Sequence, residues 1–508
     1  MSDAAVNNKR IAKNTLFLYF RTFLVMLVSL YTSRVVLNIL GEDDYGIYNL
    51  VGGIVVLFSF MNTAMAAATQ RYLNFYLGRD EIDEVRRVFS MSIIVHLILV
   101  VVVLILGETL GLWFVQTQLN IPSGRTSAAF WVYQFSLIAC CVGIIRIPYN
   151  AAIIAYEKMD FYAYLSIIEV LLKLGIVYLL LITSIDGLIA YSFLILLVGL
   201  LVFLMYKFYC NRHFDTTKVK WFWDKGLFSK LLSFSGWSLF GSVANVSATQ
   251  GLSIFINLFN GLAANAALGL SHQIQSALCS FISSFQTAFS PQIVKSYAAN
   301  DNTYFINLIF RSSRISYCLV FLFAMPLMVC ITPILHIWLV EVPEYTASFS
   351  VVCIIYCMFD ALSGPLWVAV QATGNIRRYQ ITVSLLILLN LPLAYLVLEK
   401  GFSPVWALSI RAAINILAYF YRILYLVKHL DFAGLKYLKE VMLPITVMTI
   451  ISIPICLYIF KLYSSISTLV LAIGTMIIVN LLLAFFMGLK GSEREFILNY
   501  IRNRVFSK

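Results

Sequence analysis

The sequence predicts an all-α polytopic membrane protein of about fourteen transmembrane helices, arranged as two parallel six-helix lobes followed by two C-terminal helices. Three observations predict it. The chain has 508 residues, 61% of them hydrophobic and 12% charged, with a mean hydropathy of +0.88, a balance that an ordinary aqueous surface does not sustain. Apolar runs of about 20 residues, enough to cross a hydrocarbon core of ~30 Å, recur from one end of the chain to the other. Runs such as 88–106 and 376–398 do not alternate as barrel strands do, and backbone groups in lipid must pair internally, so these runs are helices and a β-barrel is excluded.

Residues 1–14 are polar and basic, and the apolar run after them continues past signal-peptide length without a small-residue cleavage site, so the first span, 14–39, is expected to stay attached. The second, 45–70, follows the acidic turn Glu42, Asp43, Asp44. Arg79, Arg86 and Arg87 separate it from the third, 88–115, and Arg125 precedes the fourth, 126–153. The fifth, 160–183, and the sixth, 187–208, complete a first lobe, 1–208. A basic, aromatic linker, 209–230, leads into a second lobe, 231–427, with spans at 231–255, 262–290, 313–339, 346–374, 379–398 and 404–427. Two further spans, 441–460 and 466–487, occupy 428–487, and 488–508 is a tail.

Lysine and arginine orient the spans. Lys9, Arg10 and Lys13, the Arg79 to Arg87 group, Lys207 through Lys230, Lys295 and Arg311, Arg377 and Arg378, Lys428 through Lys439, and Lys490 through Lys508 fall on alternate loops; the opposite loops carry Arg125, Lys400 and Lys461. By the positive-inside rule both termini and the linker are cytoplasmic, and the net charge of +12 is topology charge that needs no nucleic-acid partner. Lys218 to Trp223 alternates cation and aromatic, and Ser492 with Glu495 has capping-box spacing ahead of Phe496, Ile497, Tyr500 and Ile501; both stretches read as helices lying on the membrane surface. The nine cysteines form no metal-ligand or redox spacing, and no cofactor is expected.

A weak internal repeat underlies the two-lobe arrangement. Tyr76-Leu77-Gly78-Arg79-Asp80 after the second span is echoed by Tyr297-Ala298-Ala299-Asn300-Asp301 after the eighth, an offset of 221 residues, and Pro148 with Ala155-Tyr156-Glu157-Lys158 is echoed by Pro365 with Ala372-Thr373-Gly374-Asn375, an offset of 217. A unit with an even number of spans begins and ends on one side, so its copy inserts in the same orientation, and two such lobes can rock about a cleft.

Polar residues in the spans locate that cleft. Asn245 and Thr249 continue a stripe that starts at Ser235, Ser238 and Ser242, and the eighth span aligns His272, Gln275, Cys279, Ser283, Gln286 and Ser290. Such stripes either pack helices or line a wet cavity. Ionisable residues each cost roughly 2.5 to 3.5 kcal/mol at mid-membrane. Those that stand out within the spans are Arg21, Arg34, Glu169, Lys173, Asp360 and Arg411, an excess of cations. Glu169 and Lys173 stand four apart and read as an ion pair or a ligand site. Arg34 reads as snorkelling or as paired with Glu42, Asp43 or Asp44. Arg21 and Arg411 have no acid nearby in sequence and are candidates for an anionic substrate, with Lys173 and with Arg146 at the cleft mouth; His272 reads as a proton shuttle or as simply hydrogen-bonded. Asp360, beside Ser363-Gly364-Pro365 in what reads as a broken helix, and Glu169 are candidates for ion coupling.

Arg34 followed by Leu40-Gly41-Glu42-Asp43-Asp44-Tyr45-Gly46-Ile47-Tyr48 resembles the segment joining the first two helices in the polysaccharide transporters of the multidrug/oligosaccharidyl-lipid/polysaccharide exporter superfamily, and Gln371-Ala372-Thr373-Gly374-Asn375 resembles that family's loop after the tenth helix. The resemblance implies a MATE-like fold in a bacterial inner membrane. It also implies a flippase of the O-antigen, capsule or exopolysaccharide type, moving an undecaprenyl-pyrophosphate-linked oligosaccharide from the cytoplasmic to the periplasmic leaflet. A proton or sodium ion as coupling ion, and the polysaccharide polymerase machinery as partner, stay open. Fourteen spans also resembles the peptidoglycan-precursor flippase. A drug or cation antiporter of the same superfamily would need embedded carboxylates, and the first and seventh spans contain none. An enzyme would need an acid/base pair or a sizeable aqueous loop, which the short outer loops do not supply.

Overall fold

The structure, a computed structural model, describes residues 3–56, 59–117, 121–180, 186–339, 342–430, 432–462, 466–491 and 493–495, and every regular element among them is helical. The first helices in chain order are α1 (Asp3–Val56), α2 (Ser59–Leu77), α3 (Ile82–Leu106), α4 (Leu112–Thr117), α5 (Thr126–Ala155), α6 (Met159–Leu179) and α7 (Gly187–His213). They are followed by α8 (Lys225–Ala298), α9 (Asn302–Val329), α10 (Ile331–Trp338), α11 (Thr346–Ala372), α12 (Arg377–Leu388), α13 (Asn390–Glu399) and α14 (Pro404–Leu430). The last are α15 (Gly434–Tyr437), α16 (Leu443–Leu462) and α17 (Ile466–Leu483). Among the described residues eleven helices are long and apolar enough to cross a membrane, and this multi-pass, all-helical architecture is the predicted class.

One of the eleven, α8, has 74 residues, which at 1.5 Å per residue is about 110 Å and far exceeds one crossing. It breaks at Gly261 (φ 81°, ψ −177°), as α1 breaks at Gly41 (φ 78°, ψ 171°). Both conformations are open to glycine and costly for a residue with a Cβ. The two glycines stand 220 residues apart, and so do two further residues in the left-handed region, Asp80 (φ 57°) and Asn300 (φ 58°); Glu157 (φ 58°) and Gly374 (φ 78°) are 217 apart. Positive φ is uncommon outside glycine, so these matched pairs write into the backbone the duplication that the sequence echoes suggest.

The chain divides into two compact units. Unit 1 comprises Met1–Val243, Val294–Asn300 and Gly374–Arg377; unit 2 comprises Ala244–Ile293, Asp301–Thr373 and Arg378–Lys508. In unit 1, α5 is the centre, packed on α1, α2, α3 and α7, while α6 lies against α1. Tyr133 of α5, fully buried, donates its hydroxyl to the Gly107 carbonyl at 2.6 Å, where the end of α3 widens into a π turn over Gly107–Gly111. That hydroxyl occupies the space a Cβ on Gly111 would fill. This unit takes in 76–80 and 155–158, and of their echoes it takes Tyr297–Asn300 and Gly374–Asn375. A Cβ on Gly78 would lie 2.6 Å from the Lys295 carbonyl oxygen, Lys295 Nζ pairs with the wholly buried Glu157 side chain at 2.6 Å, and Arg71 packs against Gly374.

In unit 2, α11 packs between α9 and α14, and α16 and α17 lie on α9. A cluster of buried apolar residues from α8, α11, α13 and α14, including Leu252, Ala267, Phe349, Ala394 and Ala407, forms its core. Arg314 of α9, 2% exposed, donates from Nη2 to both oxygens of Glu493 at 2.7 and 2.8 Å. This anchors the segment after α17.

Two expectations need correction. The linker around Lys218 to Trp223 is not a helix: a short 3-10 turn, Asp215–Thr217, is followed by irregular, partly extended chain to Asp224. Its alternation of cation and aromatic has the period of extended chain, not of a helix, and it leaves Trp221 and Trp223 exposed. Likewise α11 runs unbroken from Thr346 through Pro365 to Ala372, because the rest of its turn retains its backbone pairing around the one missing donor. The expected helix from Ser492 and Glu495 through Phe496 and Tyr500 falls largely outside the described residues, as do the side chains of Arg34, Glu42 and Asp43.

Candidate functional site

Each unit holds a cluster of charged side chains beside a cavity, built on membrane-spanning helices. In unit 1, Glu169 and Lys173 of α6 are one turn apart and pair at 2.8 Å, while Arg146 of α5 reaches the other carboxylate oxygen at 3.1 Å. The ion-pair reading is therefore the geometry found, with a second cation added. Arg146 also lies 5.7 Å from the centre of the Tyr206 ring. Arg21 of α1 sits over the Tyr162 ring at 4.6 Å, a cation–π contact. Its buried Nε has no hydrogen-bond partner among the described residues, and it pairs with no carboxylate there. Lys173 also lines a cavity of about 180 Å³ together with Ser29, Thr32, Tyr45, Tyr48 and Tyr191. Tyr48 and Tyr191 meet edge to face at 4.9 Å. Hydroxyls and ring faces are the surface a sugar binds.

In unit 2, Asp360 of α11 shares a cavity of about 90 Å³ with Arg411, Asn415 and Arg422 of α14, Asn390 of α13, and Asn245 and Tyr356. That is room for about three waters or one small anionic group. Arg411 donates to Thr249 Oγ1 at 3.0 Å and lies 5.3 Å from the Tyr356 ring centre; Arg422 donates from Nε to the Tyr379 hydroxyl at 2.5 Å. Arg422 Nη1 and both polar atoms of the Asn390 side chain are buried with no protein partner among the described residues. Asp360 makes no ion pair within 4 Å among the described residues. Buried donors left open around a cavity with two guanidiniums suit a hydrated or anionic guest.

The residues singled out in the sequence thus divide. Arg21, Arg146, Glu169 and Lys173 fall in unit 1; Asn245, Thr249, His272, Gln275, Gln286, Asp360 and Arg411 fall in unit 2. His272 Nδ1 and Gln275 Oε1 are 2.9 Å apart, the hydrogen-bonded reading. Gln286 packs its amide onto Gly364, one turn from Asp360, where no Cβ would fit. The polar stripe on α8 is split: Ser235 and Ser238 lie in unit 1, while Asn245 and Thr249 reach Arg411's surroundings in unit 2. Sequence reading missed Arg422, Asn415 and Asn390, and Tyr45 and Tyr48 as cavity residues. Arg422 had a signal, since eleven residues from Arg411 is three turns and the same helical face.

On the loops beyond unit 1's spans a third charge cluster closes. Arg125 is held by Asp44, at 2.8 Å from Nε to Oδ1, and by Asp186, which also caps α7 by accepting from the Leu188 and Ile189 amides. The acidic turn is thereby a clamp as well as a helix start.

A family profile described as "Polysaccharide biosynthesis protein" matches residues 11–297, more than half of the chain. No curated protein matches. Among solved structures, a MATE protein in complex with MaD3S superposes with a TM-score of 0.72 at 11% identity, covering 83% of this chain and 96% of that one. The Vibrio cholerae MATE transporter VcmN in its bent form gives 0.71 at 15% identity, covering 86% and 100%. A MOP-superfamily transporter from Pyrococcus furiosus, whose binding pocket is described as having reverse polarity, gives 0.70 at 11% identity, covering 84% and 98%. The chain belongs to the polysaccharide biosynthesis protein family, and its fold is that of the MATE and other MOP-superfamily structures it superposes on.

Proposed function

We propose that this protein is a flippase that carries an undecaprenyl-pyrophosphate-linked oligosaccharide, an O-antigen, capsule or exopolysaccharide unit, from the cytoplasmic to the periplasmic leaflet of a bacterial inner membrane by alternating access, with both termini cytoplasmic. The observation that carries it is the charge of the two clusters: five cations, Arg21, Arg146, Lys173, Arg411 and Arg422, against the two carboxylates Glu169 and Asp360. An excess of fixed positive charge on spanning helices suits a pyrophosphate, and Arg offers it forked donors. The tyrosine- and hydroxyl-lined cavity of unit 1 suits sugar rings. The prenyl tail stays in lipid while the head group crosses, and Asp360 or Glu169 is the residue to carry a coupling proton or sodium ion.

The test is a deletion strain examined for surface glycan and for the leaflet in which its undecaprenyl-linked intermediates reside. Accumulation facing the cytoplasm, with synthesis intact, is expected. A drug or cation antiporter is the second reading, since one similar structure is described as a multidrug resistance MATE transporter. Drug resistance conferred on a sensitive host, with glycan and intermediates unchanged, would establish that reading in place of the first.

A further inference from the structure

A second cationic site lies in unit 2, outside the Asp360 cavity. Arg378, Ile381 and Thr382 on one face of α12 and Tyr421, Leu424, Tyr425, Lys428 and His429 on one face of α14 line a groove of about 490 Å³. The spacings of three, four, seven and eight residues put each set on a single stripe. Arg378 and Lys428 are exposed, and neither makes an ion pair among the described residues. The aromatic wall is ordered: the Tyr425 and His429 rings stack at 4.1 Å, and His429 Nδ1 lies 2.9 Å from the Tyr425 carbonyl oxygen, which leaves Nε2 for a ligand. Both stripes continue away from the charged end as exposed apolar side chains, Leu385 on α12 and Leu417, Phe420 and Leu424 on α14.

A cationic mouth with tyrosines beside it and an apolar ridge leading away has the polarity profile of a diacyl lipid. Phosphate would meet Arg378 and Lys428, the glycerol region the tyrosine hydroxyls, and the acyl chains the leucines. Charge complementarity favours an anionic head group over a zwitterionic one, because no carboxylate lines the groove to receive a choline or ethanolamine cation. We propose that this groove is a binding site for an anionic phospholipid of the surrounding leaflet. This site is separate from the pyrophosphate site argued above and does not require it.

The experiment is native mass spectrometry of the full-length protein released from nanodiscs made with equal parts phosphatidylglycerol and phosphatidylcholine, beside an Arg378→Gln/Lys428→Gln double variant. Wild type is expected to retain phosphatidylglycerol in preference, and the double variant to lose about thirtyfold in its retention, from the two surface cations removed. The charge-conserving Arg378→Lys/Lys428→Arg variant should keep it. Equal retention of the two lipids by wild type, or undiminished phosphatidylglycerol on a monodisperse double variant, would overturn the proposal. So would displacement of phosphatidylglycerol by equimolar undecaprenyl pyrophosphate, which would give the groove to the substrate.

Discussion

The two charged clusters differ in how tightly each is closed. In unit 1 the Glu169 carboxylate is spoken for, one oxygen to Lys173 at 2.8 Å and the other to Arg146 at 3.1 Å. In unit 2 Asp360 stands in a cavity of about 90 Å³ with two arginines nearby and no ion pair within 4 Å among the described residues. The carboxylates also stand on helices that the repeat does not pair, since a 217-residue offset sets Glu169 against position 386 and not 360. The two halves share positive-φ backbone positions at these offsets, and they do not share the charges of the two clusters. A closed cluster holds helices together, while an open one has donors left for something else.

The largest effect expected from this contrast is in unit 2. Replacing Arg411 or Arg422 by alanine removes a guanidinium from a cavity in which the Asn390 side chain already has no protein partner among the described residues, and glycan export should fall by about hundredfold or more, with the protein still folded in the membrane. Export assayed by surface glycan, with protein level followed by immunoblot, decides it; wild-type export in both variants would remove the cavity from the transport path. Arg422→Lys should recover only part of the activity, because an ammonium cannot fork onto two oxygens.

Next in size is the closed cluster. Glu169→Gln leaves Arg146 and Lys173 facing each other across a half-buried site, and about 2 kcal/mol of stability should go, less than for a fully buried pair because the side chains keep some solvent. In detergent this lowers the melting temperature by roughly 2 °C, because the unfolding entropy of a chain this long is large. Asp360→Asn is the matched change in the open cluster. It breaks no ion pair among the described residues, so its melting temperature should stay within about 0.5 °C of wild type while export changes. If Asp360→Asn melts as early as Glu169→Gln, the distinction between closed and open clusters is wrong.

The sequence displays this much of the architecture because lipid imposes it. A span must be apolar for about 20 residues, so the multi-pass helical class and the approximate place of the spans are written in composition, while the fourteen expected spans compare with eleven long apolar helices among the described residues. The repeat is legible for a different reason. Left-handed positions restrict residue choice, and the echoed Glu157 and Gly374 are such positions, as are Asp80 and Asn300, which stand one residue out of the echo's register. What sits beside what is less visible. Glu169 and Lys173 are neighbours by helical spacing alone, but Arg146 arrives from another helix, and no pattern in the chain joins Asn390 or Tyr45 to its cavity. The linker failed because an alternating cation and aromatic pattern was given a helix's period. Asp44 reads in sequence as part of an acidic turn near Arg34, yet it pairs with Arg125, 81 residues away.

That Arg125 cluster sharpens the comparison by inverting it, with one cation between two acids on the loops of unit 1. Burial alone would push the Asp186 carboxyl up, but the backbone N–H groups of Ile189 and Leu188 and the Arg125 guanidinium outweigh it, and the group titrates below its ordinary 3.8. A carboxyl whose folded value lies below its unfolded value contributes stability that is fully present above the unfolded value and is lost as pH falls through the folded one. The gap in melting temperature between wild type and Asp186→Asn should therefore be constant from pH 7 to about pH 5 and should close toward pH 3. A gap of about 1 °C is expected, since the side chains of Arg125 and Asp186 are about a third exposed. Taking the difference between the two proteins cancels the other carboxylates that titrate in the same range. A gap that persists unchanged to pH 3 would mean that Asp186 acts as an uncharged cap of α7, and that the loop cluster is no clamp at all.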